Sequence, residues 1–304
     1  MQDGEGGLRA LVLGAAAGGG FPQWNCACRL CSLVRAGDPR VAAATQASVA
    51  VSAVPGRWLV VGASPDLRQQ IIANPALSPD GAALRASPVA GVVLLSADVD
   101  GIAGLIVLRE RQVFRVFAPA SILAVLRANS VFGVLDPALV EMVELEPDAP
   151  VPFAGLELTL LPMPGKVPLY LEDRDADAPE PGPAFAARVR AGGRSLVVAP
   201  ACAEAGDAVL ERLRGHDAVL FDGTVFHDDE MIRAGVGAKT GRRMGHMPIA
   251  GPGGSLERLA SLPGRRIFIH INNTNPILLR GSPERDAVEA AGFEVGHDGM
   301  ELRL

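Results

Sequence analysis

The sequence predicts an α+β protein in which two sheets carry helices on their outer faces, an αββα arrangement. Three observations point there. Short β-branched or leucine-rich runs recur between turn signals, and helical periodicity lies between only some of them. The order is also mixed, with strands in meanders, then strand–helix alternation, then strands again, unlike a doubly wound parallel sheet.

Residues 8–13 read as a first strand, and 46–54 with 58–61 as a hairpin turning at Pro55-Gly56. Further strands are expected at 91–95, 112–117, 156–161, 195–199, 218–221 and 266–269. Helices are expected at 65–74 with Ser64 as N-cap, at 119–129 with proline at its start, and at 205–213 and 254–261. Another, at 282–291, opens on Ser-Pro-Glu. Residues 293–295 and 300–304 read as a terminal hairpin around Asp298-Gly299. The stretch 172–183, EDRDADAPEPGP, is acidic and proline-rich without apolar period, so it reads as a flexible loop within one domain spanning 1–304. No internal repeat is evident.

Composition narrows the function. The net charge is −6, no basic run occurs, and one Tyr and two Trp leave no base-stacking stripe, which argues against nucleic acid. No stretch approaches the roughly 20 apolar residues of a membrane span. Met1 to Gly7 lacks the basic start and apolar core of a signal peptide, so a cytoplasmic setting is expected. Three clustered cysteines and one distant one suit a reduced compartment and a metal better than a disulfide framework.

Those three, Cys26, Cys28 and Cys31, follow Gly20-Phe21-Pro22-Gln23-Trp24-Asn25 and can converge on one Zn²⁺, which still needs a fourth ligand. The glycine-rich run 14–20 lacks the lysine of a phosphate loop and reads as a tight turn letting backbone approach a metal or substrate. Asp98 and Asp100 leave a strand end, where they can bind metal or act as base, or cap a helix. Asp222-Gly223-Thr224 ends another strand. His270 ends a third, before Asn272-Asn273-Thr274-Asn275, a polar turn network or an active-site rim. His246 follows a glycine-rich basic loop, whereas His216, His227 and His297 have surface-like contexts.

Gly18-Gly19-Gly20-Phe21-Pro22-Gln23-Trp24-Asn25-Cys26-x-Cys28-x-x-Cys31 resembles the signature of the coenzyme PQQ synthesis protein B family, a branch of the metallo-β-lactamase-fold superfamily. The likeness continues through Thr45-Gln46-Ala47-Ser48, Ala63-Ser64-Pro65-Asp66, Asp222-Gly223-Thr224, Met244-Gly245-His246 and His270 to Pro276. It ends at His297-Asp298-Gly299-Met300, covering essentially the whole chain. The resemblance implies a four-layer αββα sandwich with the cysteine loop, at about 20–35, as a structural zinc site on its edge.

Related phosphodiesterase-type proteins carry an HxHxDH motif where this chain reads Ser96-Ala97-Asp98-Val99-Asp100-Gly101. Asp100 stands for the motif's aspartate, and Gly101 stands where this family usually has His. A further His is missing near Pro164-Gly165-Lys166, and a bridging aspartate is replaced near Pro200. Asp98, Asp100 and His270 are left as metal ligands, with His246 as proton donor or extra ligand. Hydrolysis by two zinc ions is not expected from so few donors, and a single iron suits the set better.

Asn273 becomes a candidate fourth zinc ligand because relatives have His there; water or Asp are alternatives. The resemblance implies a role in pyrroloquinoline quinone (PQQ) biosynthesis. The readings are iron-dependent oxidative hydroxylation of the tyrosine ring of a Glu–Tyr-derived intermediate, a carrier of PQQ or its precursor towards the periplasm, or an inactive scaffold. Expected partners are that ligand, other pathway proteins and a second copy of the chain.

Overall fold

A computed structural model describes residues 7–172 and 181–304. Among them the strands form two seven-stranded sheets. The first runs in the order β14 (Glu301–Arg303), β1 (Arg9–Gly14), β2 (Ser48–Val54), β3 (Arg57–Val61), β4 (Val89–Val93), β5 (Phe114–Ala118), β6 (Val140–Glu144). The second runs β13 (Phe293–Val295), β12 (Arg265–Ile269), β11 (Ala218–Asp222), β10 (Arg194–Ala199), β9 (Pro181–Ala191), β8 (Leu156–Lys166), β7 (Val151–Phe153). Each sheet is mixed: hairpins at one part give way to parallel strands, β3 to β6 in the first and β10 to β13 in the second.

Period-two alternation explains how the sheets stack. In β10 Leu196 and Val198 join the core shared with the first sheet, while Val197 and Ala199 face the outer core. Ala218 and Leu220 against Val219 and Phe221 repeat this in β11, so strands buried on both faces read as continuous apolar runs. Phe117 meets Phe153 edge-on across the inner layer, with centroids 4.8 Å apart. Helices cover the outer faces. Leu67 of α2 (Leu67–Ala73) and Ile122, Leu123 and Leu126 of α4 (Ala120–Ala128) pack on the first sheet. Val209 and Leu213 of α5 (Asp207–Leu213) and Val288 of α8 (Pro283–Ala290) pack on the second. Shorter helices are α1 (Arg29–Arg35), α3 (Val99–Ile102), α6 (Glu230–Arg233) and α7 (Ser255–Arg258).

Several expectations need correction. The C-terminal pair is not a hairpin: β13 pairs with β12 and β14 pairs with β1, in different sheets. The cause is Asp298, whose carboxylate accepts from Ala15 N at 3.1 Å, Thr45 N at 2.8 Å and Thr45 Oγ1 at 2.7 Å, so the turn is pulled across to the first sheet. Ser64 does not cap α2; the N-cap is Asp66, and Ser64 Oγ instead bonds Gln70 Oε1 at 3.0 Å. The helix expected at 254–261 is only the single turn α7. The proposed loop 172–183 is shorter: Glu172 is buried in ion pairs and 181–183 belong to β9, while 173–180 lie outside the described residues. Strands β6, β7 and β9 had no sequence signal strong enough: β6 and β7 are edges with partial burial, and β9 starts among prolines.

Candidate functional site

Two polar clusters lie at strand ends. The first joins Cys26, Cys28 and Cys31, with sulfurs within 4.8 Å of one another. Cys31 is on α1, whose last-turn Arg35 reaches back to the carbonyls of Gln23 and Cys26 and clamps the loop. A small core of Ala16, Phe21, Leu30, Val41 and Leu279 packs beneath. Asn273 closes the open side, with Nδ2 at 3.2 Å from Cys26 Sγ, 3.7 Å from Cys28 Sγ and 3.2 Å from Cys31 Sγ. Amide N and O are assigned by hydrogen bonding, so the same position can present the oxygen to a cation. Burial pushes the Cys28 thiol up to about 11, whereas for Cys26 burial is outweighed by the Cys28 amide and neighbouring side chains, which lower it. A bound cation would supply the charge that lets the three sulfurs ionise side by side.

The second cluster gathers Asp100, His270, His246, Asp222 and Thr224 around one hydroxyl. Thr224 Oγ1 lies 2.6 Å from Asp222 Oδ1, 3.0 Å from His246 Nδ1 and 2.9 Å from His270 Nδ1. A hydroxyl has one proton to give. With that proton on the shortest contact, to Asp222, the hydroxyl oxygen is left to accept, so His270 Nδ1 donates to Thr224. His270 Nε2 then faces Asp100 Oδ2 at 3.0 Å, a contact that needs a shared proton, as in the imidazolium, or a cation in its place. His246 Nδ1 donates to Asp222 Oδ2 at 2.7 Å, and its ring stacks on His270 with centroids 5.0 Å apart. His270 has φ +55°, a left-handed backbone that costs on the order of 1 kcal/mol and turns the chain out of β12.

Asp222, fully buried, has ligand atoms near His246 and His270 and was absent from the sequence-derived ligand set. Yet its two oxygens accept four hydrogen bonds, from Cys202 N, His246 Nδ1, Thr224 N and Thr224 Oγ1, which fills its lone pairs. It is an orienting charge rather than a free metal donor. Cys202 lies beneath it, its thiol pushed up to about 12 by burial and then by Asp222. Burial opposes ionisation of Asp100, but His270 and His246 outweigh it and hold the carboxyl below its ordinary value. Burial likewise opposes the His270 imidazolium, and Asp100, Asp222 and Asp98 overcome it, so His270 is raised.

Asp98 is the N-cap residue of α3, and among the described residues its carboxylate has no hydrogen bond to the cluster. Burial and the Asp100 charge push it up. Gly101 is helical, and an added Cβ would make ordinary contacts with Ser96 Oγ at 3.4 Å and Ser96 O at 3.7 Å. His216 is buried between Ser195 and Arg212 rather than at the surface, and lies outside both clusters.

The motif residues shared with the family turn out to build a frame. Gln46 Oε1 accepts from Gly19 N at 3.1 Å, Asp66 accepts from Gln46 N and Nε2, and Gln70 donates to Thr45 Oγ1 and Gln46 O. This frame holds the glycine turn so that a Cβ on Gly18 would sit 3.3 Å from Asp100 Oδ2. Ala17 N donates to Ile271 O at 2.8 Å, stitching the same turn to the residue after His270.

A family model, the beta-lactamase superfamily domain, matches residues 57–271, which makes the chain a metallo-β-lactamase-fold protein. A diphosphatase of the PhnP family shares that fold at 19% identity, with a TM-score of 0.68 over 98% of this chain and 97% of its own. The coenzyme PQQ synthesis protein B of Methylobacterium nodulans is 53% identical over 98% of this chain and 100% of its own. The crystal structure of Zn²⁺-bound PqqB from Methylobacterium extorquens superposes with a TM-score of 0.94 at 48% identity, over 97% of this chain and 100% of its own. The chain belongs to the coenzyme PQQ synthesis protein B family.

Proposed function

We propose that this member of a PQQ-synthesis family hydroxylates the tyrosine ring of a Glu–Tyr-derived intermediate, using one metal ion held by Asp100 and His270. The carrying observation is the 3.0 Å approach of Asp100 Oδ2 to His270 Nε2, a pair oriented through His270 Nδ1 by Thr224 and whose shared proton a metal cation can replace. These donors fit one ion and not two, since Ser96, Asp98 and Gly101 stand at the motif's histidine positions and a further His is missing near Pro164-Gly165-Lys166. Asp98, the N-cap of α3 two residues before Asp100, is the candidate third donor. Iron bound there would supply the redox and Lewis-acid chemistry for using dioxygen.

The chain's own groups do the rest. His246, fixed through Nδ1 by Asp222, has no protein partner at Nε2 among the described residues, so it can take or return a ring proton there. Asp222 steadies the charged imidazole. Cys26, Cys28 and Cys31 are read as a structural zinc clip with the Asn273 amide as fourth group, supported by zinc in the Methylobacterium extorquens relative.

The test is anaerobic loading of the purified protein with Fe²⁺, followed by substrate, oxygen and a two-electron reductant such as ascorbate, so that one oxygen atom enters the ring and the other leaves as water. Oxygen uptake with a hydroxylated ring is expected; an absence of iron binding or of oxygen consumption sinks the reading. A carrier role is the second reading, favoured by Gly101, which leaves the metal position one imidazole short. It requires PQQ or its precursor to bind without turnover, and a calorimetric titration without heat would exclude it.

A further inference from the structure

We propose that Tyr170 and Val99 form an apolar wall beside the Asp100–His270 centre, and that the aromatic ring of the substrate lies against the Tyr170 ring. The inference rests on the substrate class proposed above and names the residue that selects for an aromatic ligand.

Tyr170 is the one tyrosine of the chain, and it lies in the short segment between the end of β8 and Glu172. That segment is tied down at several points. Leu171 N and Glu172 N donate to Pro168 O at 2.8 and 3.1 Å, which makes a tight turn. The Glu172 carboxylate is buried against Lys166 Nζ at 3.2 Å and Arg243 Nη1 at 3.3 Å, which fastens the turn to the last residue of β8 and to the loop that carries His246. The Tyr170 hydroxyl donates to Ala97 O at 2.8 Å, one residue before Asp98. A ring held both by its backbone and by its hydroxyl has little rotamer freedom left to lose, so a ligand meets it already in place.

Yet Tyr170 stays 46% exposed. Its polar tip is satisfied while its apolar body is left in water, the reverse of an ordinary surface tyrosine, whose ring packs and whose hydroxyl reaches solvent. Val99, the first residue of α3 and set between Asp98 and Asp100, is 57% exposed. Two large apolar side chains therefore stand in water on either side of Asp98. Burial and then the Asp98 charge push the Tyr170 phenol up. Asp98 in turn feels Asp100, Lys166, His246 and His270, so phenol, carboxylates and imidazoles share one neighbourhood. A few polar groups beside an exposed, pre-placed aromatic ring are the elements of a site for a planar aromatic ligand.

The experiment is calorimetric titration of the metal-loaded full chain with PQQ, a planar fused-ring tricarboxylate, and with tricarballylate, which has the carboxylates and no ring. Tyr170→Leu should weaken PQQ by about fivefold, the worth of one aromatic pair, at unchanged melting temperature. Tyr170→Trp should hold PQQ at least as tightly as the natural protein, and tricarballylate should respond to neither variant. A tyrosine that matters only through its bond to Ala97 predicts equal losses in Tyr170→Leu, Tyr170→Phe and Tyr170→Trp. That result overturns the wall, as does PQQ binding unaltered by Tyr170→Leu. Should the natural protein bind no PQQ, turnover of the Glu–Tyr-derived substrate decides: a KM raised by Tyr170→Leu with kcat kept upholds the wall, and an unchanged KM overturns it. Ring-dependent binding without oxygen uptake sinks the hydroxylation and keeps the wall, hydroxylation indifferent to Tyr170 does the reverse, and neither binding nor turnover ends both.

Discussion

The thiolate cluster and the carboxylate–imidazole cluster use the chain in opposite ways. Cys26, Cys28 and Cys31 come from one six-residue window and need only Asn273 from afar. Asp222 and His270 come from two strand ends, His246 from a loop and Asp100 from α3; Thr224 joins the first three and His270 brings in Asp100. The first is enclosed by its own small core and by an amide, with no side left for a substrate. The second pairs His270 Nε2 with Asp100 at 3.0 Å and leaves His246 Nε2 without a protein partner among the described residues. On the roles proposed above, density of ligands in sequence goes with the clip and dispersion across separate elements goes with the chemistry.

The comparison is sharpest if each region can be disabled alone. His270→Ala should lower ring hydroxylation by on the order of 10³-fold, about 4 kcal/mol in barrier, with little change in melting temperature; a matching collapse of the fold would mean the site is structural. Cys31→Ser should do the reverse. Bound zinc should fall by about one per chain and stability by about 3 kcal/mol, seen as a drop of roughly 10 °C, while folded molecules keep their activity. Activity lost at unchanged stability would reverse the roles of the two clusters.

Thr224→Val is next. It leaves Asp222 Oδ1 and His270 Nδ1 short of a partner, at about 2 kcal/mol, and should slow turnover by roughly tenfold or more through the wrong His270 tautomer. NMR of the imidazole nitrogens would show Nδ1–H in the natural protein and a mixture in the variant.

Glu230 links the regions from below: it accepts from Phe226 N and Thr274 Oγ1, one residue beyond Asn273, and burial raises it to about 7 from 4.5. A carboxyl raised on folding favours the folded state below its unfolded value and loses that contribution as pH rises through the folded one. Stability relative to Glu230→Gln should fall by on the order of 2 kcal/mol between pH 4.5 and 7. Parallel denaturation curves for the two proteins across that window would refute it. The smallest effect is a gain. Gly101→His has room for its Cβ and should raise iron affinity by about tenfold, or 1.4 kcal/mol; no gain would show that the missing imidazole is not what limits the site.

Much of this was legible because strong patterns are local. The first hairpin, β10 to β12, and the Ser282 cap of α8, which accepts from Arg285 N at 3.1 Å, follow from period, turn residues and capping chemistry. Asp100 and His270 could be named from strand ends, but their 3.0 Å meeting depends on a separation of 170 residues. Asp222 and Thr224 were visible as a third strand end, without any sign that one would saturate its lone pairs and the other fix two imidazoles. Lys166, Glu172 and Arg243 gave no sequence signal at all, since a charge reads as solvated until packing encloses it. The same limit hid the split of the C-terminal strands, which turns on one carboxylate, Asp298, reaching Thr45.

The span of the Cys–Asn273 contact has a consequence for biogenesis. Asn273 lies 245 residues beyond Cys28. A ribosome therefore exposes all three thiols long before the amide that encloses them has been translated. β1 is in the same position, because its neighbour β14, at Glu301–Arg303, is translated long after it. Both the cysteine cluster and the sheet edge stay open until those distant segments emerge, so a nascent chain that captures zinc at the cysteines encloses it only once Asn273 has been made.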